Sequence, residues 1–359
     1  MKKKIDLYII KKFLGTFFFI MALLMAISVI FDISEKIDDF IESNAPLSKI
    51  IIQYYLNFIV YYSNLFASLL IFIAVILFTS RMSQLTEIVA ILSSGVSFNR
   101  MLRPFMVSAT ILAFISLVFN HFVVPVSNKT LNDFKYTYLD SRDNYQVHNV
   151  HREIEKGTIV FVESVAPAER IAFKFSMEKW KEGKLTYKLI CDRAVYDSVN
   201  SRWTLHNYYE RYLGQEKDKI NKGFLKDTTL KVTLGDFALD VSSIVEMNSL
   251  ELIKYIDQER QKGSDKVPFY EVELHQRTSL PLATYILTLM AASIASRKVR
   301  GGIGLHIASG IVIALLYIFF MKVTVVAATH AGFNPLLAVW LPNIVFGVAS
   351  FMVYQRAPK

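Results

Sequence analysis

"FLGTFFFIMALLMAISVIF" (13–31) carries no charged residue. At about 1.5 Å per residue, a helix over those positions reaches about 28 Å, close to the roughly 30 Å of hydrocarbon in a bilayer. The run therefore predicts a membrane-crossing helix. Five comparable runs, at about 50–79, 104–124, 279–296, 303–327 and 334–354, extend the prediction to six spans. Composition agrees: 53% of the 359 residues are hydrophobic, with 27 Phe and 18 Tyr, above the roughly 45–50% typical of soluble domains. The first run is too long for the apolar core of a signal peptide and no small-residue cleavage site follows it, so it is expected to stay as an anchor.

The charges predict an orientation. Lys2, Lys3, Lys4, Lys11 and Lys12 precede the first span, and Arg81, Arg100 and Arg103 lie between the second and third. Arg297, Lys298 and Arg300 separate the fourth and fifth, and Arg356 and Lys359 follow the sixth. The positive-inside bias makes these four sets, and both termini, cytoplasmic. The first loop, with Asp32, Glu35, Asp38, Asp39 and Glu42, then falls outside, as does the long polar block after the third span. The net charge of +9 is explained by orientation and anionic head groups, and no nucleic acid partner is expected.

Within that block, "TIVFVESV" (158–165), "IAFKFSMEKW" (171–180), "KLTYKLICDRAVYD" (184–197) and "RWTLHNYYERYL" (202–213) read as strands, broken at Glu182-Gly183 and at 198–201. "TTLKVTLGDFALDV" (228–241) supplies a further strand. Short strands at this spacing predict an antiparallel sandwich or jelly roll. From Asn248, Asn-Ser-Leu-Glu opens an amphipathic helix with Leu252, Ile253 and Ile256 on one side, ending near Gly263. The fold class is thus an α-helical membrane protein with six transmembrane helices and an inserted extracytoplasmic antiparallel β domain. The expected division is 1–124 (spans one to three), 125–270 (β-rich domain with its terminal helix) and 271–359 (spans four to six).

One segment fits neither class. "LTEIVAILSSGVSFNRM" (85–101) is apolar but carries Glu87, four serines and Asn99. As a helix over about 84–95 it puts Leu85, Ile88, Val89 and Leu92 on one face and Ser83, Glu87 and Ser94 on another, with Gly95 placed to stop it. At about 16 Å it is too short to span. Two readings stay open: a helix resting in the head-group region, or a docking helix that presents Glu87 to a basic groove on a cytoplasmic subunit. Its acid, and arginines only beyond its end, fit the second better than an anionic lipid surface.

Four stretches together carry a family resemblance: "TEIVAILSSGVSFNRM" (86–101), "VVPVSNKTLNDFKYTYL" (123–139), "HQRTSLPLATYILTLMAASIASRKVRGGIGLHIASG" (275–310) and "LLAVWLPNIVFGVASFMVYQR" (336–356). They look like the LptF/LptG permeases of the lipopolysaccharide exporter, and the likeness covers essentially the whole chain. It implies a half-transporter in an ABC complex of the bacterial inner membrane, without enzymatic activity of its own. The implied partners are a cytoplasmic LptB-like ATPase dimer, a second permease (an LptF-like paralogue or a second copy), LptC/LptA-like periplasmic proteins, and lipopolysaccharide as cargo. It also implies that this chain binds no cofactor, ATP and Mg being used by the ATPase.

In the family the helix between spans two and three is the coupling helix. Its acidic residue aligns with Glu87, and Leu85, Ile88, Ser94 and Gly95 complete the segment. The Trp340-Leu341-Pro342-Asn343 run and the Arg300-Gly301-Gly302 junction tilt the resemblance to the LptG side. The family's cavity is bordered by the first and fifth spans of each permease. LptG-type sequences often carry a basic cluster after the first span, whereas "FDISEKIDDF" offers only Lys36. Lys49, and Lys322 inside the fifth span, are the other candidate head-group contacts. A lysine that deep costs about 2.5–3.5 kcal/mol on insertion scales unless it faces protein or water; it either snorkels to the interface or meets an acidic cargo or partner.

Enzyme signatures are few. Arg300-Gly301-Gly302-Ile303-Gly304 is not followed by Gly-Lys-Ser/Thr, so it reads as a turn rather than a P-loop. His148 and His151, in a loop-like stretch beside Glu153 and Glu155, lack a third ligand and read as solvated rather than metal-binding. Cys191, alone in the sequence, sits in an apolar strand and is expected in a core. Phe173, Phe175, Tyr187 and Trp203 either fill that core or line a groove. The competing readings are an ABC-type permease for lipoproteins or another lipid, whose usual four spans count against it, and a non-transporting membrane scaffold.

Overall fold

The computed structural model describes residues 2–139, 147–155, 157–166, 170–197, 200, 202–214, 217–230, 241–261, 264, 266–299 and 301–357. The chain forms two compact units. One holds residues 1–131, 245–249 and 268–359; the other holds 132–244 and 250–267.

Six helices, which lie in the first unit apart from residues 132–138 and Val267, are long and apolar enough to cross a membrane: Lys4–Glu42, Leu47–Gln84, Phe98–Tyr138, Val267–Ala295, Gly302–His330 and Pro335–Gln355, hereafter spans 1 to 6. They outrun the apolar stretches that announce them, because helix does not stop where hydrocarbon would. Spans 2 and 3 each contain a π-helical segment, Ile50–Tyr55 and Phe119–Val123. Pro104, Pro281 and Pro342 sit inside spans 3, 4 and 6, which neighbouring helices and hydroxyl side chains make tolerable.

Packing within this unit is uneven. The apolar windows of spans 2 and 4 are each 61% buried, whereas those of spans 3, 5 and 6 are each 28% buried and that of span 1 is 17% buried. Phe13, Phe78 and Phe105 form the aromatic centre, with ring centroids 5.7 Å (Phe13–Phe78) and 5.2 Å (Phe78–Phe105) apart. Around it, Ala74, Ala283, Ala291 and Ala292 are fully covered, because small side chains let helices approach closely without a hydrophobic drive between them. The returning segment Val245–Ser249 is tied to spans 3 and 4. Asn128 Nδ2 donates to the Val245 carbonyl at 3.2 Å, the buried Arg277 donates to the Met247 carbonyl at 2.8 Å, and His121 Nδ1 lies 2.6 Å from Ser249 Oγ.

The second unit is built on a six-stranded antiparallel sheet in sequential order: β1 Val147–Glu155, β2 Thr158–Ala166, β3 Ile171–Lys181, β4 Lys184–Asp197, β5 Arg202–Tyr212 and β6 Lys219–Thr228. Period-two alternation gives it one apolar face: Val160 pairs with Met177, Met177 with Leu189, and Phe175 with Cys191, and all are buried with Trp203 and Leu205. Glu182 (φ 50°) and Gly183 (φ 75°) join β3 to β4. Two left-handed residues in a two-residue loop are what the twist of a tight hairpin requires.

Several sequence expectations change here. The stretch around His148 and His151 is strand β1 rather than loop; its register against β2 pairs His148 with Ser164 and His151 with Phe161. A strand at 219–228 is added that the sequence did not announce, and of the strand expected at 228–241 residues 231–240 fall outside the described residues. "KINKGFLKDT" escaped detection because it is an outermost strand among the described ones, with Ile220, Phe224 and Leu225 exposed, so burial never imposed alternation on it. The described strands make one sheet, and the expected sandwich or jelly roll has no second layer among them. The helix after Asn248 runs Ser249–Gln261 and buries Leu252, Ile256 and Glu259, while Ile253 is 44% exposed; the buried stripe follows i, i+4, i+7 and leaves Ile253 to one side. Gly263 lies outside the described residues.

Candidate functional site

Span 2 ends at Gln84 and Leu85 closes it. Thr86 then takes φ 59°, a left-handed conformation unusual for a β-branched residue, and the chain restarts as a short helix, Glu87–Ser93. Gly95 at φ 81° ends it, and the Ser97 hydroxyl accepts from the Arg100 N–H to cap span 3. The predicted helix over 84–95 is thus only seven residues, because residues up to Gln84 belong to span 2 and Thr86 breaks the run. Leu85 and Ser94 flank the helix rather than lie in it. Its buried side is also different: Ile88 is 1% exposed and Ile91 and Leu92 pack on the core, whereas Leu85 and Val89 are exposed.

Glu87 occupies the first turn, where a carboxylate complements the positive end of the helix dipole. Its Oε2 accepts a hydrogen bond from the Tyr8 hydroxyl at 2.9 Å. Tyr8, Lys12, Arg81 and Glu87 ring a cavity of about 290 Å³ floored by Leu77, Phe78 and Ile303. On the far side of the loop, Arg100 donates to both carboxylate oxygens of Asp6 at 2.8 and 2.5 Å. Asn99 meets the Tyr354 hydroxyl, and Tyr354 stacks on Phe98. Sequence reasoning gave Glu87 without its intramolecular partner, because Tyr8 lies 79 residues away.

An apolar cavity of about 250 Å³ opens between spans 2, 4 and 5, walled by Leu65, Phe66, Leu69, Leu280, Ile318 and Met321. Lys322, Gln276, Ser68 and Tyr317 supply its polar lining, and Lys322 is its one charged residue. Lys322 is exposed, and among the described residues it makes no hydrogen bond or ion pair. Behind it, Tyr317 donates to Asn343 at 2.8 Å and Asn343 to the Ser279 carbonyl at 3.1 Å, which locks spans 4, 5 and 6 together. Asn343 belongs to the Trp-Leu-Pro-Asn run, so that motif includes a buried structural contact.

Lys36 is engaged differently. Its ammonium lies 3.2 Å from Asp32 Oδ1 and 2.5 Å from the Tyr54 hydroxyl, and 5.1 Å from the centre of the Tyr54 ring. The Asp32 partner sits at i−4 and could be read from sequence; Tyr54, on the π-helical segment of span 2, could not. Lys49 is exposed at the turn before that segment. The neighbouring cavity of about 620 Å³, walled by Ile33, Ile37, Phe40, Ile41, Leu47 and Ile51, includes none of Lys36, Lys49 and Lys322, and the apolar cavity beside span 5 includes Lys322 alone of the three.

The sheet holds a group that sequence reasoning missed. Glu210, buried on β5, accepts from the Tyr187 hydroxyl at 2.7 Å and from Lys226 at 2.5 Å. Burial opposes its charge, but Lys226 and Tyr187 outweigh that and hold the carboxyl below its ordinary range. Burial and the Glu210 carboxylate raise the Tyr187 hydroxyl. Cys191 is buried and its thiol is pushed up to about 12, first by burial, so it is a core residue rather than a nucleophile. Phe175 and Trp203 are fully buried in the same core, against which Tyr187 packs partly covered. His151 lies against Phe161 with the rings tilted by 39° and 4.5 Å between centroids, and no three His, Cys, Asp or Glu converge among the described residues.

No curated protein matches the chain. A family model, that of the lipopolysaccharide export system permease LptF/LptG, matches residues 7–356. With six apolar helices, an antiparallel sheet between the third and fourth, and that match over nearly its whole length, the chain belongs to the LptF/LptG family of lipopolysaccharide export permeases and is a multi-pass inner-membrane protein.

Proposed function

We propose that this chain is one permease of an ABC-type exporter that extracts lipopolysaccharide from the inner membrane and passes it to a periplasmic protein bridge. A cytoplasmic LptB-like ATPase dimer drives it, a second permease completes the cavity, and LptC/LptA-like proteins receive the lipid. ATP and Mg are used by the ATPase, and this chain holds neither. The basic loops lie in the cytoplasm, block 125–270 is the periplasmic part, and residues 1–124 and 271–359 form the membrane part. The Trp340–Asn343 run and the Arg300–Gly302 junction favour the LptG side.

The observation that carries the proposal is the uneven burial of the bundle. The apolar windows of spans 1, 3, 5 and 6 are mostly uncovered by their own chain, and the family resemblance singles out spans 1 and 5, on which Phe19, Phe31, Leu315 and Phe319 are all more than half exposed. A saturated chain of a dozen carbons costs on the order of 10 kcal/mol to bring into water, at about 0.8 kcal/mol per methylene. Cargo chains must therefore pass along apolar surface throughout, beginning at these spans. Lys322, unpaired at the rim of an apolar cavity, is positioned for an anionic head group. On the opposite task, Glu87 with exposed Leu85 and Val89 makes a mixed acidic and apolar patch suited to seating in a basic, partly greasy groove of the ATPase.

Co-purification tests the proposal. Tagged chain should bring down an ATPase dimer and one further permease, and Glu87→Lys should release the ATPase. Recovery of an isolated chain or homodimer, or full ATPase retention and export by Glu87→Lys, would contradict it. The lipoprotein alternative would be favoured if the purified complex released acylated protein rather than lipopolysaccharide.

A further inference from the structure

The base of span 1 is fastened to the loop between spans 2 and 3 at two points. Ile9, Phe13 and Phe17 are buried at i, i+4 spacing, with Ile5 partly covered on the same stripe. At about 100° per residue, Asp6 and Tyr8 project about 80° to either side of that stripe. Tyr8 donates to Glu87, the first residue of the short helix. Asp6 accepts both Arg100 bonds, in the first turn of span 3 just beyond that helix. A bidentate guanidinium–carboxylate pair fixes orientation as well as distance. The two ends of the loop that carries Glu87–Ser93 are therefore each bound to the same two turns of span 1.

Above those turns span 1 changes character. Phe18, Phe19, Leu23, Ile27 and Ile30 are exposed there, while Met25 stays buried. The helix Lys2–Glu42 contains no proline, and Gly15 is its only glycine, so nothing in its sequence provides a sharp kink. At about 1.5 Å per residue it is about 60 Å long, and movement of its base is carried to its apolar face.

We infer that Asp6 and Tyr8 are positioning residues that link the first span to the short helix, so that a displacement of Glu87–Ser93 by the ATPase moves the lipid-facing span directly. The inference rests on the reading of Glu87–Ser93 as the coupling helix. Ion pairing with Arg100 and the Tyr8 hydroxyl are the two removable links. Tyr8→Phe deletes only the hydroxyl and keeps the ring over which Lys12 lies at 5.8 Å.

The test uses the complete complex in proteoliposomes containing lipopolysaccharide, with lipid released per ATP hydrolysed as the readout and ATPase co-purification as the control. The combined Asp6→Ala and Tyr8→Phe variant is expected to lower that ratio at least fivefold while the ATPase still co-purifies. Asp6→Arg alone should lower it too while the ATPase still co-purifies, which a merely structural role in folding would not produce, and Asp6→Arg with Arg100→Asp should return it to within twofold of the parent. A parental ratio in the combined variant, or failure of the charge swap to restore the loss, overturns the inference. If Glu87→Ala keeps both the ATPase and the parental ratio, the coupling reading itself fails, a result distinct from either of those.

Discussion

Spans 2 and 4 and spans 1 and 5 look alike as sequence and differ in surroundings. All four are long apolar runs, yet the first pair is covered by its own chain and the second is not. Hydropathy reports that a helix leaves water; it does not report whether its neighbour is protein or lipid. The clearer signal is the buried serine or threonine hydroxyl. Spans 2 and 4 bury Thr79, Ser80 and Ser83 and Ser279, Thr284, Thr288 and Ser293, whereas span 5 buries Thr324 and span 1 buries no serine or threonine among its described residues. On the proposed function the covered pair is scaffold, and spans 1 and 5, among the uncovered spans, meet the partner and the cargo.

The comparison predicts where stability and transport separate. The largest stability effect should come from the scaffold: Phe105→Ala empties the contact with Phe13 and Phe78 and should cost about 3 kcal/mol, measured by thermal unfolding of the detergent-solubilised complex. A loss comparable to that of an exposed-face variant would break the comparison. In the sheet, Lys226→Met leaves Glu210 buried without its cation and should cost about 2 kcal/mol at neutral pH, the low end for such pairs because Lys226 is about a third exposed.

That second effect carries a pH signature. The folded carboxyl of Glu210 lies below its unfolded value, so its contribution is fully present above the unfolded value near 4.3 and is lost as pH falls through the folded one. The Lys226 ammonium is raised, first by its bond to Glu210, so its share is present below about 10.4 and lost as pH rises through the folded value. The penalty of Lys226→Met should therefore be seen at pH 7 and shrink toward pH 4, where Glu210 takes up a proton. Tryptophan fluorescence, with Trp203 in that core, follows it.

Smaller in stability but selective for function, Lys322→Met should leave unfolding unchanged or slightly raised, since it removes a charge from a membrane span, and should cut lipopolysaccharide release several-fold. Unaltered release would assign Lys322 to snorkelling. Phe19→Ala and Phe319→Ala should shift stability by less than about 0.5 kcal/mol, as expected of side chains with few contacts of their own.

Legibility followed what each residue's neighbours were. The six spans were readable because length and apolarity alone define them, and the Glu182-Gly183 hairpin because the turn is local. Strand β6 was not, since its side chains are exposed and obey no period. Thr86 gave no sign of its left-handed backbone, and so the short helix was drawn too long and Leu85 placed on its buried side. Glu87, the candidate centre, was visible as an acid out of place; its bond to Tyr8, like Lys36 to Tyr54 and Tyr187 to Glu210, joins residues 79, 18 and 23 positions apart and exists only in the fold.

The most direct measurement places a photo-activatable residue at Phe19 or Phe319 on the uncovered spans, and at Val75 or Met290 on the covered ones, in an exporter turning over ATP. The account predicts lipopolysaccharide adducts at the first two positions, dependent on ATP, and none at the last two. Equal labelling of all four, or adducts with phospholipid alone at Phe19 and Phe319, would contradict it.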